Sequence, residues 1–130
     1  MPYLVDSDWL IEYQLDVPEA RALVERLIES GIAVSMISYM EVYDGLRRSP
    51  DFEAAAVKFE AFMNTVLLMD ISREVARRCA ALRDALRRQG KQVRRRALDL
   101  LIAATALEHS LTLVTRNAED YQDVPGLDLA

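Results

Sequence analysis

Hydrophobic and polar positions along this chain follow two different periods. Short apolar runs rich in Val, Leu and Ile stand at 3–5 (YLV), 32–37 (IAVSMI), 66–71 (VLLMDI) and 111–114 (LTLV), with a weaker run near 127–129. They are too short for helices and rich in strand formers, so they predict buried β-strands. Longer segments with apolar residues three and four apart lie between them, at 9–14, 19–30, 38–48, 51–63, 73–89 and 98–109, and predict helices. Strands alternating with helices make an α/β fold: a mainly parallel sheet covered by helices on both faces. Gly31, Pro50, Gly90 and Pro125-Gly126 punctuate the pattern, and RSPD joins the helices at 38–48 and 51–63 into an expected helical hairpin. At 130 residues the chain holds one core, so a single domain over 1–130 is expected.

The segment LDLLIAATAL breaks the amphipathic rule, because it is apolar around almost its whole circumference and so predicts a helix buried on several sides. Asp99 stands in its first turn. A carboxylate there has to be capped, paired or metal-bound, since an isolated buried charge is too costly to keep.

Composition narrows the chemistry. Cys79 is the one cysteine and His109 the one histidine, which excludes an intrachain disulfide and Cys/His zinc clusters and leaves few nucleophile–base pairs. Cys79 is expected to be buried and structural, and His109 to end a helix. Any metal must be held by oxygen. The longest apolar stretch falls short of the roughly 18 residues a membrane helix needs, and no basic segment precedes an apolar one at the N-terminus; a cytoplasmic protein with no membrane partner is expected. Net charge is −5, against a role in coating nucleic acid. Yet RRQGKQVRRR, residues 87–96, carries six basic side chains and no acid. It reads as a poorly ordered, solvated loop at 90–96, or as a surface for phosphate or for a protein partner.

Four acids each have an ordinary structural explanation. Asp6 can start a turn or cap the helix at 9–14; Ser38 and Glu41 fit a capping box; Asp99 can be an N-cap; Asp120 follows Asn117 by three at a last helical turn. Their positions together say more. In an alternating α/β sheet the helix N-termini lie at the carboxyl edge of the strands, so all four acids face one rim, where such sheets bind ligands. Converging carboxylates repel unless a cation neutralises them. An all-oxygen site with open positions suits Mg²⁺ or Mn²⁺.

In order along nearly the whole chain, YLVDSDWLI, SMISYMEVYDGL, LDLLIAATAL and LVTRNAEDYQDVPGLDL resemble the motifs of PIN-domain ribonucleases of the VapC toxin kind. The resemblance implies a three-layer fold with strand order 3-2-1-4-5. It carries the acidic site onto Asp6, Glu41, Asp99 and Asp120, with Ser7, Ser38 and Asn117 in or beside it. Asp8, where the family often has Asn, is a possible further ligand. The implied reaction is metal-dependent hydrolysis of RNA, with Asp6 and Asp99 as direct ligands, Glu41 acting through water or as a proton acceptor, and Asp120 completing the set. Arg94, Arg95, Arg96 and Arg116 would then meet RNA phosphates. The resemblance also implies a cognate antitoxin that wraps the toxin and a homodimer built near the helical hairpin. Tyr39, Tyr43, Phe59, Phe62 and Met63 could serve that interface, although their helical spacing also suits core packing. Two alternatives stand beside this reading: a PIN-like module kept only for binding, and a haloacid dehalogenase-like phosphatase using Asp6-x-Asp8. Against the latter, Trp9 and Leu10 follow the acids where small and hydroxylated residues are expected, and no lysine-bearing motif is evident.

Overall fold

The structure, a computed structural model, describes residues 2–130. Its elements run β1 (Tyr3–Val5), α1 (Ser7–Gln14), α2 (Pro18–Ile28), β2 (Ile32–Ser35), α3 (Met36–Leu46), α4 (Phe52–Met63), β3 (Leu67–Met69), α5 (Arg73–Arg88), α6 (Ala97–Glu108) and β4 (Thr112–Val114). Single 3₁₀ turns at Arg94–Arg96 and Ala118–Tyr121 precede α6 and follow β4. The strands form one parallel sheet in the order β3-β2-β1-β4.

Strand alternation divides the core into two layers, because successive side chains of a strand point to opposite faces. Leu4, Ala33 and Leu113 pack on one side with α5, α6, Tyr121 and Val124. Val5, Ile32, Val34 and Val114 pack on the other with residues of α1 to α4, including Leu10, Val24, Val42 and Phe59. Helix α6 buries Leu100, Ile102, Ala103, Ala104, Thr105 and Ala106, as its uninterrupted apolar composition requires.

Several expectations change. The fifth strand is reduced to one parallel bridge, Leu113 to Leu129, flanked by hydrogen bonds from Leu113 N to Asp128 O (2.8 Å) and from Ala130 N to Leu113 O (3.0 Å). The ladder does not extend toward Leu127, because the next rung would need the Leu111 N–H, which is bonded to Ala106 O at 2.8 Å. The run at 32–37 is strand only to Ser35, whose hydroxyl accepts from Ser38 N at 3.0 Å and starts α3 at Met36. A side-chain cap ends the strand two residues before the apolar run ends.

The basic segment is anchored instead of loose. Gly90, at φ 79°, closes α5 through Gly90 N to Arg87 O and Lys91 N to Leu86 O, the left-handed helix end that glycine favours. Val93 is buried, and Lys91 and Arg96 both pair with Asp123. Phe59, Phe62 and Met63 are buried core residues, and the Tyr39 and Tyr43 hydroxyls both donate to Glu60 across α3 and α4. Phe59, Phe62 and Met63 are thus taken up by the core, while Tyr39 and Tyr43, only partly buried, link the two helices through Glu60. Cys79 is buried, and burial pushes its thiol up; His109 ends α6. Among the described residues no helix is long and apolar enough to cross a membrane.

Candidate active site

Strands β1 and β4 are parallel neighbours in the register Leu4 to Leu113 and Val5 to Val114. The residues that follow, Asp6 and Thr115, therefore meet. Asp6 is 5% exposed and caps α1: its Oδ1 accepts from Ser7 N at 2.8 Å and its Oδ2 from Thr115 Oγ1 at 2.8 Å. Both oxygens are thus oriented by fixed donors. Thr115 Oγ1 in turn accepts from Asn117 N at 3.1 Å.

Glu41 comes to this edge one turn into α3. Its partner is Ser7, whose hydroxyl donates to Oε1 at 3.0 Å. The expected capping box is absent: Ser35, not Ser38, is the N-cap, and Glu41 is left to face Asp6, Asp8 and Asp99. Ser38 is fully buried and bonds to Ser35. Asp99 is likewise no N-cap, for α6 begins at Ala97 behind Arg96 with no side-chain cap, which puts the carboxylate at the third helical position. Asp8 projects from the first turn of α1 and accepts from Asn117 Nδ2 at 2.8 Å. Asp120 is exposed at the rim, where a cavity of about 450 Å³ is lined by Arg95, Arg96, Asp99, Glu119, Asp120 and Asp123.

The three inner acids are electrostatically uncomfortable. Burial holds the Asp6 carboxyl above its ordinary value; the Thr115 and Ser7 hydrogen bonds oppose this, and the charges of Asp8 and Asp99 add to it. Burial also raises Glu41, against its hydrogen bond from Ser7 and with help from Asp6, Asp99 and Asp8. Asp99 is raised first by burial, with Tyr121 lowering it, Asp120 raising it and Arg96 lowering it. Carboxylates that raise one another's pKa are the electrostatic setting that a divalent cation relieves.

The donor set fits such an ion: oxygen only, with Asp6 pre-oriented and the outer side open. Among the described residues no three acids stand close enough to clasp an ion by themselves. A divalent cation here would take one or two carboxylates and complete its shell with water.

The basic residues divide. The Arg96 guanidinium pairs bidentately with Asp123, at 2.8 and 2.7 Å, and donates to Asp120 O at 2.8 Å. Arg116 lies over the Trp9 ring, 3.9 Å from its centroid, and pairs with Glu12 at 2.7 Å and Glu19 at 3.2 Å. Both guanidiniums are therefore already paired with acids of this chain. Arg94 and Arg95 are exposed, and neither guanidinium has an ion pair among the described residues. Sequence reasoning missed Thr115, Tyr121 and Asp123. Thr115 had a signal, since LVD and LVT end two strands that lie side by side; Tyr121 and Asp123 had none, because their partners are set by how the last turn folds back.

Residues 3–127 match the PIN domain family. The chain is 31% identical over 98 residues to ribonuclease VapC2 of Rickettsia felis, covering 75% of this chain and 72% of that protein. It is 30% identical over 126 residues to ribonuclease VapC19 of Mycobacterium tuberculosis, covering 95% of each. The crystal structure of VapBC2 from Rickettsia felis bound to a DNA fragment from their promoter superposes with a TM-score of 0.86 at 26% identity, over 100% of this chain and 98% of that one. With its acids gathered at the β1/β4 edge and these relatives along its length, the chain belongs to the PIN-domain family, among its VapC ribonucleases.

Proposed function

We propose that this chain is a divalent-metal-dependent endoribonuclease toxin that hydrolyses RNA phosphodiester bonds and is restrained by a cognate antitoxin. The observation that carries the reading is the meeting of Asp6, Glu41 and Asp99 at one strand edge, each held above its ordinary pKa by burial and by its acidic neighbours. The kinship with VapC ribonucleases supports the nuclease chemistry, and the solved VapBC2 assembly supports a protein partner.

Asp6 and Asp99 would hold Mg²⁺ or Mn²⁺, with Asp8 and Asp120 at the periphery. Such an ion supplies a nucleophile near neutral pH and offsets charge on the phosphate. Asp6 is oriented by Ser7 and Thr115 before any ligand arrives, so it loses little freedom on binding. Glu41 keeps one oxygen on Ser7 and has the other available to accept a proton from the attacking water. Arg94 and Arg95 stand outside the acids and can meet the RNA backbone.

The phosphatase alternative finds no support in the site: of the two lysines, Lys58 pairs with Asp16 and Lys91 with Asp123, away from Asp6. The deciding experiment is RNA cleavage by the purified chain without its partner. Cleavage should require Mg²⁺ or Mn²⁺ and stop with EDTA. Activity unchanged by chelator would remove the metal reading, and no cleavage under any metal would favour a module kept for binding.

A further inference from the structure

The end of α5 and the turn after it enclose a second cavity, of about 590 Å³, whose charged lining is Arg83, Arg87, Lys91 and Arg94 with no acid among the described residues. Arg83 and Arg87 stand one turn apart on the same helix face, where like charges repel. Other arginines of α5 are paired: Arg77 with Glu74 at 3.7 Å, Arg78 with Glu108 at 2.9 Å and Arg88 with Asp84 at 3.0 Å. Arg83 and Arg94 have no ion pair among the described residues, and Arg87 has only a 4.0 Å contact with the Asp84 that Arg88 already holds. Lys91 shares Asp123 with the Arg96 fork. Cations gathered in a concavity with too little acid to balance them make a field that draws in an anion. The turn that carries two of them is shaped in advance, since Val93 is buried and Gln92 Oε1 accepts from Arg94 N at 3.0 Å.

This cavity adjoins the one lined by the acids. Arg94 lines the first, and Arg95, the next residue, lines the second beside Asp99 and Asp120. Lys91 lines the first, and its partner Asp123 lines the second. A chain of phosphates whose scissile group lies at the acids therefore enters the basic cavity by crossing Arg95. The lining suits a polynucleotide better than a peptide. The buried centre of a protein interface is apolar and rich in aromatic side chains, whereas the apolar residue here, Val93, is taken up by the core of α5 and α6. Guanidinium groups fork onto phosphate oxygens, and such contacts fix a nucleic acid in place without reading its bases.

We propose that the cavity at the end of α5 is a distal RNA subsite, in which Arg83, Arg87, Lys91 and Arg94 hold backbone phosphates beyond the scissile one. This rests on the ribonuclease reading above and carries the RNA contact from Arg94 and Arg95 onto α5. Contacts so far from the reacting phosphate bind substrate and transition state alike, so they lower KM and leave kcat as it is.

The test is the double variant Arg83→Gln, Arg87→Gln in the full chain, beside Arg83→Lys, Arg87→Lys. Binding of single-stranded RNA is measured against salt in EDTA, and cleavage with Mg²⁺ is measured as kcat and KM. The Gln pair should flatten the slope of log K against log[salt] by about 1.4, roughly 0.7 for each lost phosphate contact, and raise KM with kcat unchanged. The Lys pair keeps both charges and should keep the wild-type slope. Should the Gln pair melt early, Arg87→Gln alone, at an exposed helix end, should flatten the slope by about 0.7. A wild-type slope and KM in the Gln variants overturn the proposal and leave the ribonuclease reading standing. Wild-type RNA binding with antitoxin affinity lost also overturns it and gives the cavity to the protein partner. A wild-type chain that neither binds nor cuts RNA overturns both readings, and one that binds without cutting removes the nuclease reading while the salt slope still decides this one.

Discussion

Thr115 Oγ1 donates a 2.8 Å hydrogen bond to Asp6 Oδ2 across the parallel pair of β1 and β4, joining residues 109 positions apart. The bond stabilises the ionised form of an acid that burial disfavours. Thr115→Val removes that donor and also the acceptor used by Asn117 N. We expect the acidic limb of the cleavage pH profile to move to higher pH, because the Asp6 carboxyl rises further, together with a stability loss of about 1–3 kcal/mol. Thr115→Ser should keep both properties. A pH–rate series on the two variants checks this, and an unmoved limb in Thr115→Val would separate Asp6 from the reaction.

Asp6→Asn and Asp99→Asn should each lower cleavage by orders of magnitude while thermal stability at neutral pH holds or rises. Removing one of several mutually repelling charges relieves the cluster. Asn is also as good an N-cap as Asp, and its amide can donate to Thr115 while its oxygen accepts from Ser7. Melting curves beside specific activity decide the matter. Variants that unfold but cleave normally in their folded fraction would reduce these acids to structural caps.

The metal-free protein should lose stability as pH rises from the ordinary carboxylate value, about 4, upward. Asp6, Glu41 and Asp99 have folded pKa values raised above their unfolded ones, so the folded state binds more protons in that interval. Stability is then fully present below the unfolded value and is lost as pH rises through the folded one. Asp123 acts oppositely: Arg96 and Lys91 hold it well below the usual range, so its contribution is present above the ordinary value and lost on acidification. Melting temperatures across pH, with and without Mg²⁺, test both signs. Mg²⁺ should flatten the upper slope, and Asp99→Asn should remove part of it.

Arg94 and Arg95 can be separated from Arg96. Replacing the first two with Gln should weaken binding of single-stranded RNA and flatten the slope of log K against log[salt] by about 1.4, roughly 0.7 for each lost phosphate contact. Arg96→Gln should instead lower the melting temperature, because it opens the Asp123 fork and frees the turn around Asp120. A wild-type salt slope in the double variant, with partner affinity lost, would assign the exposed pair to the antitoxin.

The local pattern of the sequence determined what local physics controls. Short apolar runs marked β1, β2, β3 and β4, helical spacing marked all six helices, and the apolar circumference of LDLLIAATAL marked α6 as buried. The acids could be placed at one rim from topology alone, since helix starts follow strand ends. Tertiary structure decided what depends on competition between partners distant in sequence. Ser35 took the cap expected of Ser38 and left Glu41 to Ser7; Asp123 paired with Arg96, and Glu12 with Glu19 paired with Arg116. The fifth strand shrank to a bridge because Leu111, which would carry the next rung, gives its N–H to Ala106 O. A residue's type states which bonds it can make. Which of them it makes depends on the neighbour that arrives at the right distance and angle, and that neighbour is set by the packing of the whole chain.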